Sequence, residues 1–232
     1  MYKELKKWAP TIKATTIPLG STLFQPTETM EARKKLGLLL DRCLIIQTGF
    51  FGFDKGILPL IESMPHILKQ IPEAYLVIAG SIHPLAPQIH KTYMRDCIKK
   101  AIELKLTNHI RFTNQFLSED NLSLYLSAAD IVAVNHQFVF GLYSSSASAH
   151  RALACGKPLL MNADDVRLSE FTSGENCLKA KNYEIPTAVV ELYNNPGLRE
   201  NLIYNANKYA LKTSYKEIAK EHIMVYKNAK NT

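Results

Sequence analysis

Short apolar runs alternate with longer stretches of helical spacing, and this alternation restricts the chain more than any other feature. The runs are Leu44–Thr48, Ala74–Ala79, His109–Thr113, Asp130–Val134, Pro158–Met161 and the short Cys177–Ala180. They show little polar alternation, as strands buried on both faces do. Between them, Ile57–Leu68, Ile89–Leu104, Glu119–Ala128 and Ser146–Ala154 space their apolar residues by three and four. Repeated βα units of this kind join through right-handed crossovers. The expected fold class is therefore α/β, a doubly wound parallel sheet. Ligands of such sheets bind outside the carboxyl ends of the strands, so the loops after each run are the place to look.

The two ends read differently. Lys13–Pro26 is strand-like, turns at Pro18–Gly20 and then runs extended, whereas Tyr183–Lys227 is helical almost throughout, with a fresh helix start at Pro196. With no internal repeat or low-complexity linker, one folded domain over 27–232 is expected, preceded by a non-core segment, 1–26. The 232 residues are 47% hydrophobic and 21% charged, as in an ordinary globular protein. No apolar run approaches the ~18–20 residues that cross a bilayer. The start, MYKELKKWAP, lacks the apolar stretch of a signal peptide. A cytoplasmic protein is expected. Cys43, Cys97, Cys155 and Cys177 lie far apart, without metal-site spacing, and read as buried free thiols.

A net charge of +7 admits nucleic acid, an anionic membrane surface or a polyanionic small ligand. The basic residues are scattered, with short clusters at Lys3–Lys7, Arg33–Lys35 and Lys99–Lys100, and no nucleic-acid-binding signature accompanies them. A solvated surface with a modest pull towards anionic lipid or phosphate is the expectation.

Four loops carry the chemistry. Gly49–Gly56 follows the first run and opens a helix. Its glycines, Gly52 among them, let backbone N–H groups approach a phosphate, and Lys55 adds a full charge at the mouth. The spacing is neither a Walker A motif nor G-x-G-x-x-G. Gly80-Ser81 ends the second run. Asn114, Phe116 and Leu117 follow the third, where an aromatic and exposed backbone amides suit a nucleobase. Ser144, Ser145 and Ser146 precede a helix that carries Arg151 and ends at Gly156 and Pro158; the serines offer an N-cap and several donors for a diphosphate. Taken singly, each loop also reads as a plain turn, a surface lysine or a core phenylalanine. His66 and His90 read as solvent-facing, and His136 and His150 as ligand candidates. Asp164-Asp165 resembles a metal pair but reads as a solvated loop, and Glu170 and Glu175 read as within reach of a sugar.

Together and in order, these pieces resemble the C-terminal domain of GT-B glycosyltransferases, particularly family 4. Ile17-Pro18-Leu19-Gly20 looks like the segment leaving the acceptor domain, and Gly49–Gly56 like the glycine loop with its Lys-Gly. Ala79-Gly80 and Ala128-Ala129-Asp130-Ile131 match a strand end and a strand start. Ala152–Pro158 is close to the family's AMACGKP run, and Ser173–Leu178 to its glycine turn. The chain departs from the family where two glutamates often stand: Tyr143 and Arg151 occupy those places. Phe50, Phe51 and Phe53 fill the loop ahead of Lys55, where the family carries an arginine.

The resemblance implies a Rossmann-like domain that binds a nucleotide-diphosphate sugar and transfers the sugar to a glycan, lipid or other acceptor, as in polysaccharide biosynthesis. It implies that Lys55 neutralises the diphosphate as the glycosidic bond breaks. It further implies that the backbone near Phe116 and Leu117 holds the base and that Ser144, Ser145 and Ser146 contact phosphate or sugar, with no cofactor and no required metal; Gly52, Gly80, Asn114 and Arg151, read from the loops themselves, complete the expected donor-binding set. Residues 1–26 would be a remnant of, or linker from, an acceptor-binding domain. Without that domain or a partner subunit, transfer is expected to be weak or absent. Peripheral contact with an anionic membrane fits the charge; nucleic acid is not an expected partner. The competing reading is a non-catalytic, degenerate binding module or a subunit of a split enzyme.

Overall fold

The computed structural model describes residues 7–11, 14–137, 146–165 and 170–230. Six parallel strands form one sheet: β1 (Cys43–Thr48), β2 (Ala74–Ala79), β3 (Ile110–Phe112), β4 (Ile131–Val134), β5 (Leu159–Asn162) and β6 (Leu178–Ala180). Their spatial order is β3-β2-β1-β4-β5-β6, so the order reverses between β1 and β4. Every neighbouring pair is parallel, and β1 runs in register with β2 from Cys43 opposite Ala74 to Thr48 opposite Ala79.

Alternate residues of each strand feed two separate apolar layers. Cys43, Ile45, Leu76, Ile78 and Leu160 face one layer, closed by α2 (Ile57–Leu68), α3 (Gln88–Glu103) and α6 (Ile185–Asn194). Leu44, Ile46, Val77, Val132 and Met161 face the other, closed by α1 (Thr29–Leu36), α4 (Glu119–Ala128), α5 (Ala147–Leu153) and α7 (Pro196–Lys212). The helices that cover the sheet show why the sequence folds this way. α2 buries Ile57, Leu60, Ile61, Met64 and Ile67, a stripe at helical spacing. Ser118 caps α4 by accepting from Asn121 N at 3.3 Å, and Asn195 caps α7 by accepting from Leu198 N at 3.0 Å. The last helix is α8 (Tyr215–Lys230).

The doubly wound parallel sheet agrees with the sequence expectation, and Pro196 does begin a helix. Three readings are corrected. The strand-like stretch before Pro26 contributes no strand over 14–26; it makes only an isolated bridge from Ser21 to Ser214, because both sheet edges lie elsewhere. α1 was not foreseen, because TMEARKKL has no apolar stripe and buries only Ala32 and Arg33. Arg33 itself, read as part of a solvated cluster, is 4% exposed. All four cysteines are free and buried. Burial pushes the Cys43, Cys155 and Cys177 thiols up to about 12 and Cys97 to about 11, so they act as apolar filling at neutral pH. Among the described residues no helix is long and apolar enough to cross a membrane.

Candidate functional site

The loops at the carboxyl ends of β1, β2 and β3 are stitched together by their backbones. Gly49 and Gly80 both have positive φ, at 121° and 147°, and a Cβ on Gly80 would lie 1.9 Å from the Gly49 carbonyl oxygen. Only glycine permits that approach. Phe51 N donates to Ser81 O at 2.9 Å, Gly80 N to Thr113 Oγ1 at 2.9 Å, and Gln115 N to Gly80 O at 2.8 Å. The stitching leaves a cleft of about 500 Å³ above the strand ends, between the loops that enter α2 and those that enter α4 and α5.

Lys55 closes a 3₁₀ turn, Phe53–Lys55, and Gly56 at φ 63° then turns the chain into α2. The ammonium therefore stands at the start of a twelve-residue helix, where the peptide dipoles add partial positive charge. Its Nζ lies 2.8 Å from Asp54 Oδ2. Burial works against the Asp54 carboxylate, but the hydrogen bond and charge of Lys55 outweigh it and hold the carboxyl below its ordinary value. Across the cleft, Ser146 Oγ accepts from Ala149 N at 3.2 Å and lies 3.0 Å from Ser148 Oγ. Arg151 Nη2 donates to Glu119 Oε1 at 2.5 Å, an ion pair that ties α5 to the first residue of α4. Phe116 is 71% exposed at the rim, with its ring 6.2 Å from that of Phe50.

Of the residues singled out from sequence, Lys55, Gly80, Phe116, Leu117, Ser146 and Arg151 line this one cleft. Gly52 and Asn114 do not line it. Gly52 accepts from Lys55 N at 3.0 Å behind the turn, and Asn114 takes a left-handed conformation at φ 48° in the loop after β3. Ser144 and Ser145 lie outside the described residues. His136 lines the cleft and is buried, but His150 faces away. Its Nε2 meets Glu170 Oε1 at 3.0 Å and its Nδ1 lies 3.5 Å from Ser21 Oγ. Glu170 is thus engaged away from the cleft, and Glu175 is exposed elsewhere. The Asp164-Asp165 pair separates: Asp164 is exposed, while Asp165, 2% exposed, lines the cleft. Sequence reasoning left Asp54, Glu119 and Asp165 out of the site; only their places just beyond strand ends or at a helix start could have signalled them. Among the described residues no group of three His, Cys, Asp or Glu could hold a metal ion.

Such a cleft presents a lysine and a helix start on one wall, serine and arginine on the other, and an aromatic rim. A model of the family glycosyl transferases group 1 matches residues 28–209. The glycosyltransferase MJ1607 of Methanocaldococcus jannaschii is 29% identical over 208 residues, which are 87% of this chain and 49% of that protein. The chain thus spans about half the length of that relative. Sucrose-phosphate synthase from Thermosynechococcus elongatus superposes with a TM-score of 0.78 at 22% identity, over 98% of this chain and 56% of its own. HepE from Anabaena, solved in complex with UDP and glucose, gives 0.76 at 15% identity over 94% of this chain and 57% of its own. The chain belongs to the glycosyl transferases group 1 family, with the Rossmann-like fold of a GT-B C-terminal domain.

Proposed function

We propose that this chain is the donor-binding part of a glycosyltransferase that moves a sugar from a nucleotide diphosphate to an acceptor. One observation carries the reading: Lys55, Ser146 and the Phe116-Leu117 loop, far apart in sequence, share one cleft at the carboxyl ends of parallel strands. In this reading the diphosphate lies against Lys55 and the start of α2. The base lies towards Phe116 and Leu117, and the sugar towards the Ser146 wall. As the glycosidic bond breaks, negative charge grows on the leaving diphosphate, and the ammonium stabilises it without a divalent cation. The complex of HepE with UDP and glucose supports this class of donor.

The acceptor would be held by a further domain or a partner subunit. α8 offers a surface for it, since Tyr215, Ile223, Met224 and Tyr226 are each at least half exposed.

Titration calorimetry with UDP-, GDP- and ADP-sugars, with and without EDTA, tests the reading. One donor is expected to bind, with or without EDTA, and Lys55→Ala to weaken it at least about tenfold, as loss of a charge-assisted contact does. Equal affinity of the two proteins would remove Lys55 from the site and favour a non-catalytic module.

A further inference from the structure

We infer that Asn182, far from Lys55 in sequence, is a positioning residue for the lysine turn. The inference rests on the donor reading above for its consequence, though not for its geometry.

Five carboxamides lie along the carboxyl edge of the sheet. Gln47 stands on β1, Asn135 and Gln137 follow β4, Asn162 ends β5, and Asn182 lies just beyond β6. Asn182 joins three of the others, Asn135, Gln137 and Asn162. Its Oδ1 accepts from Asn135 Nδ2 at 3.3 Å, Gln137 Nε2 at 3.3 Å and Asn162 Nδ2 at 3.4 Å, and its Nδ2 donates to Gln137 Oε1 at 2.8 Å. The backbone under Asn182 is itself fixed, because Lys181 N donates to Glu184 Oε2 at 2.9 Å and Glu184 N donates to Lys181 O at 2.9 Å.

The far side of this network holds the turn. Three successive carbonyls are each tied down by a different donor: Asp54 O by Gln137 N at 2.8 Å, Lys55 O by Gln47 Nε2 at 2.8 Å, and Gly56 O by Asn135 Nδ2 at 3.1 Å. The packing is close enough that a Cβ on Gly56 would fall 1.9 Å from Asn135 O and 2.5 Å from Gln137 Nε2. With its carbonyls held towards the sheet, the turn presents Lys55 to the cleft in one arrangement. Carboxamides suit this work because they donate and accept together and carry no charge that would neutralise the ammonium. Removing the Asn182 side chain takes the shared acceptor from Asn135 and Gln137, two of the three residues that hold the turn, and leaves Lys55 and its Gln47 contact intact.

The test uses Asn182→Ala and Asn182→Asp, the latter keeping size and acceptor but losing the donor to Gln137. Circular dichroism confirms that each is folded. Hydrogen exchange of the unliganded Asn182→Ala chain is expected to speed up about tenfold for amides 53–58, with those of β1 and β2 unchanged and with Asn182→Asp, which keeps the shared acceptor, changing less. UDP, GDP and ADP are then titrated into a double-mutant cycle with Lys55→Ala. Asn182→Ala is expected to weaken the bound nucleotide about five- to tenfold when Lys55 is present and less than about twofold when it is not. Unchanged exchange overturns the inference, as does an equal loss in both backgrounds. If none of the three nucleotides binds the wild-type chain, the donor reading fails on its own, and exchange alone decides whether Asn182 holds the turn.

Discussion

The charge that would meet a diphosphate is already engaged: Lys55 Nζ sits 2.8 Å from the Asp54 carboxylate. A bound anion must share the ammonium with Asp54 or displace it. The pair does not come apart at neutral pH. The Asp54 pKa is depressed, so the pair's contribution to stability is present above the ordinary aspartate value near ~4 and is lost only as pH falls below it. Between pH 6 and 8 the Asp54 carboxylate stays ionised, and nucleotide affinity should show no titration from it. Asp54→Asn removes the competing charge while keeping the shape. Diphosphate binding is then expected to tighten by about three- to tenfold, roughly the scale of one partly exposed charge pair, and calorimetry at fixed ionic strength reads the change. Weaker binding would mean that Asp54 orients Lys55 more than it competes for it.

At the scale of elements, α1 is held by a guanidinium rather than by an apolar face. Arg33 Nε donates to Ala128 O at 3.0 Å, its Nη1 to Leu40 O and Arg42 O at 3.0 and 3.1 Å, and its Nη2 to Asp130 Oδ2 at 2.6 Å. The one side chain thus joins α1 to the end of α4 and the start of β4. Arg33→Met should cost about 2–3 kcal/mol in urea unfolding, below the largest buried-pair losses because the Asp130 side chain is 39% exposed. A loss under about 0.5 kcal/mol would show that packing alone holds α1. The same residue shows where sequence reading stops. The strands and α2 through α5 were legible because apolar periodicity reports burial on a sheet. Arg33 has no periodic signature, and its partners come from the end of α4, the residue before β4 and the loop between α1 and β1. The site divides in the same way. Lys55 and Ser146 could be read from glycines, caps and strand ends, whereas Asn135 and Asn182 meet across 47 positions through single carboxamides that no local pattern marks.

The whole molecule is two apolar layers on one sheet, and the cleft draws its walls from both. The Lys55 turn leads into α2 on one side, while Glu119, Ser146 and Arg151 come from α4 and α5 on the other. α7 crosses between the layers, placing Leu202 in the first and Ala206 and Ala210 in the second. The layers therefore share both the sheet and a helix, and neither can open without exposing apolar surface of the other. Leu202, 0% exposed, is the place to test that coupling. Leu202→Ala leaves a cavity in the first layer and should cost about 2–5 kcal/mol. If the layers are one cooperative unit, urea transitions followed by far-UV circular dichroism and by tyrosine fluorescence will shift together and stay coincident. A bound nucleotide will then raise both midpoints equally, because it binds only when both walls are in place. Transitions that separate in the variant, with the nucleotide stabilising only one of them, would mean that the cleft is built by a single layer and that the crossing helix does not couple the two.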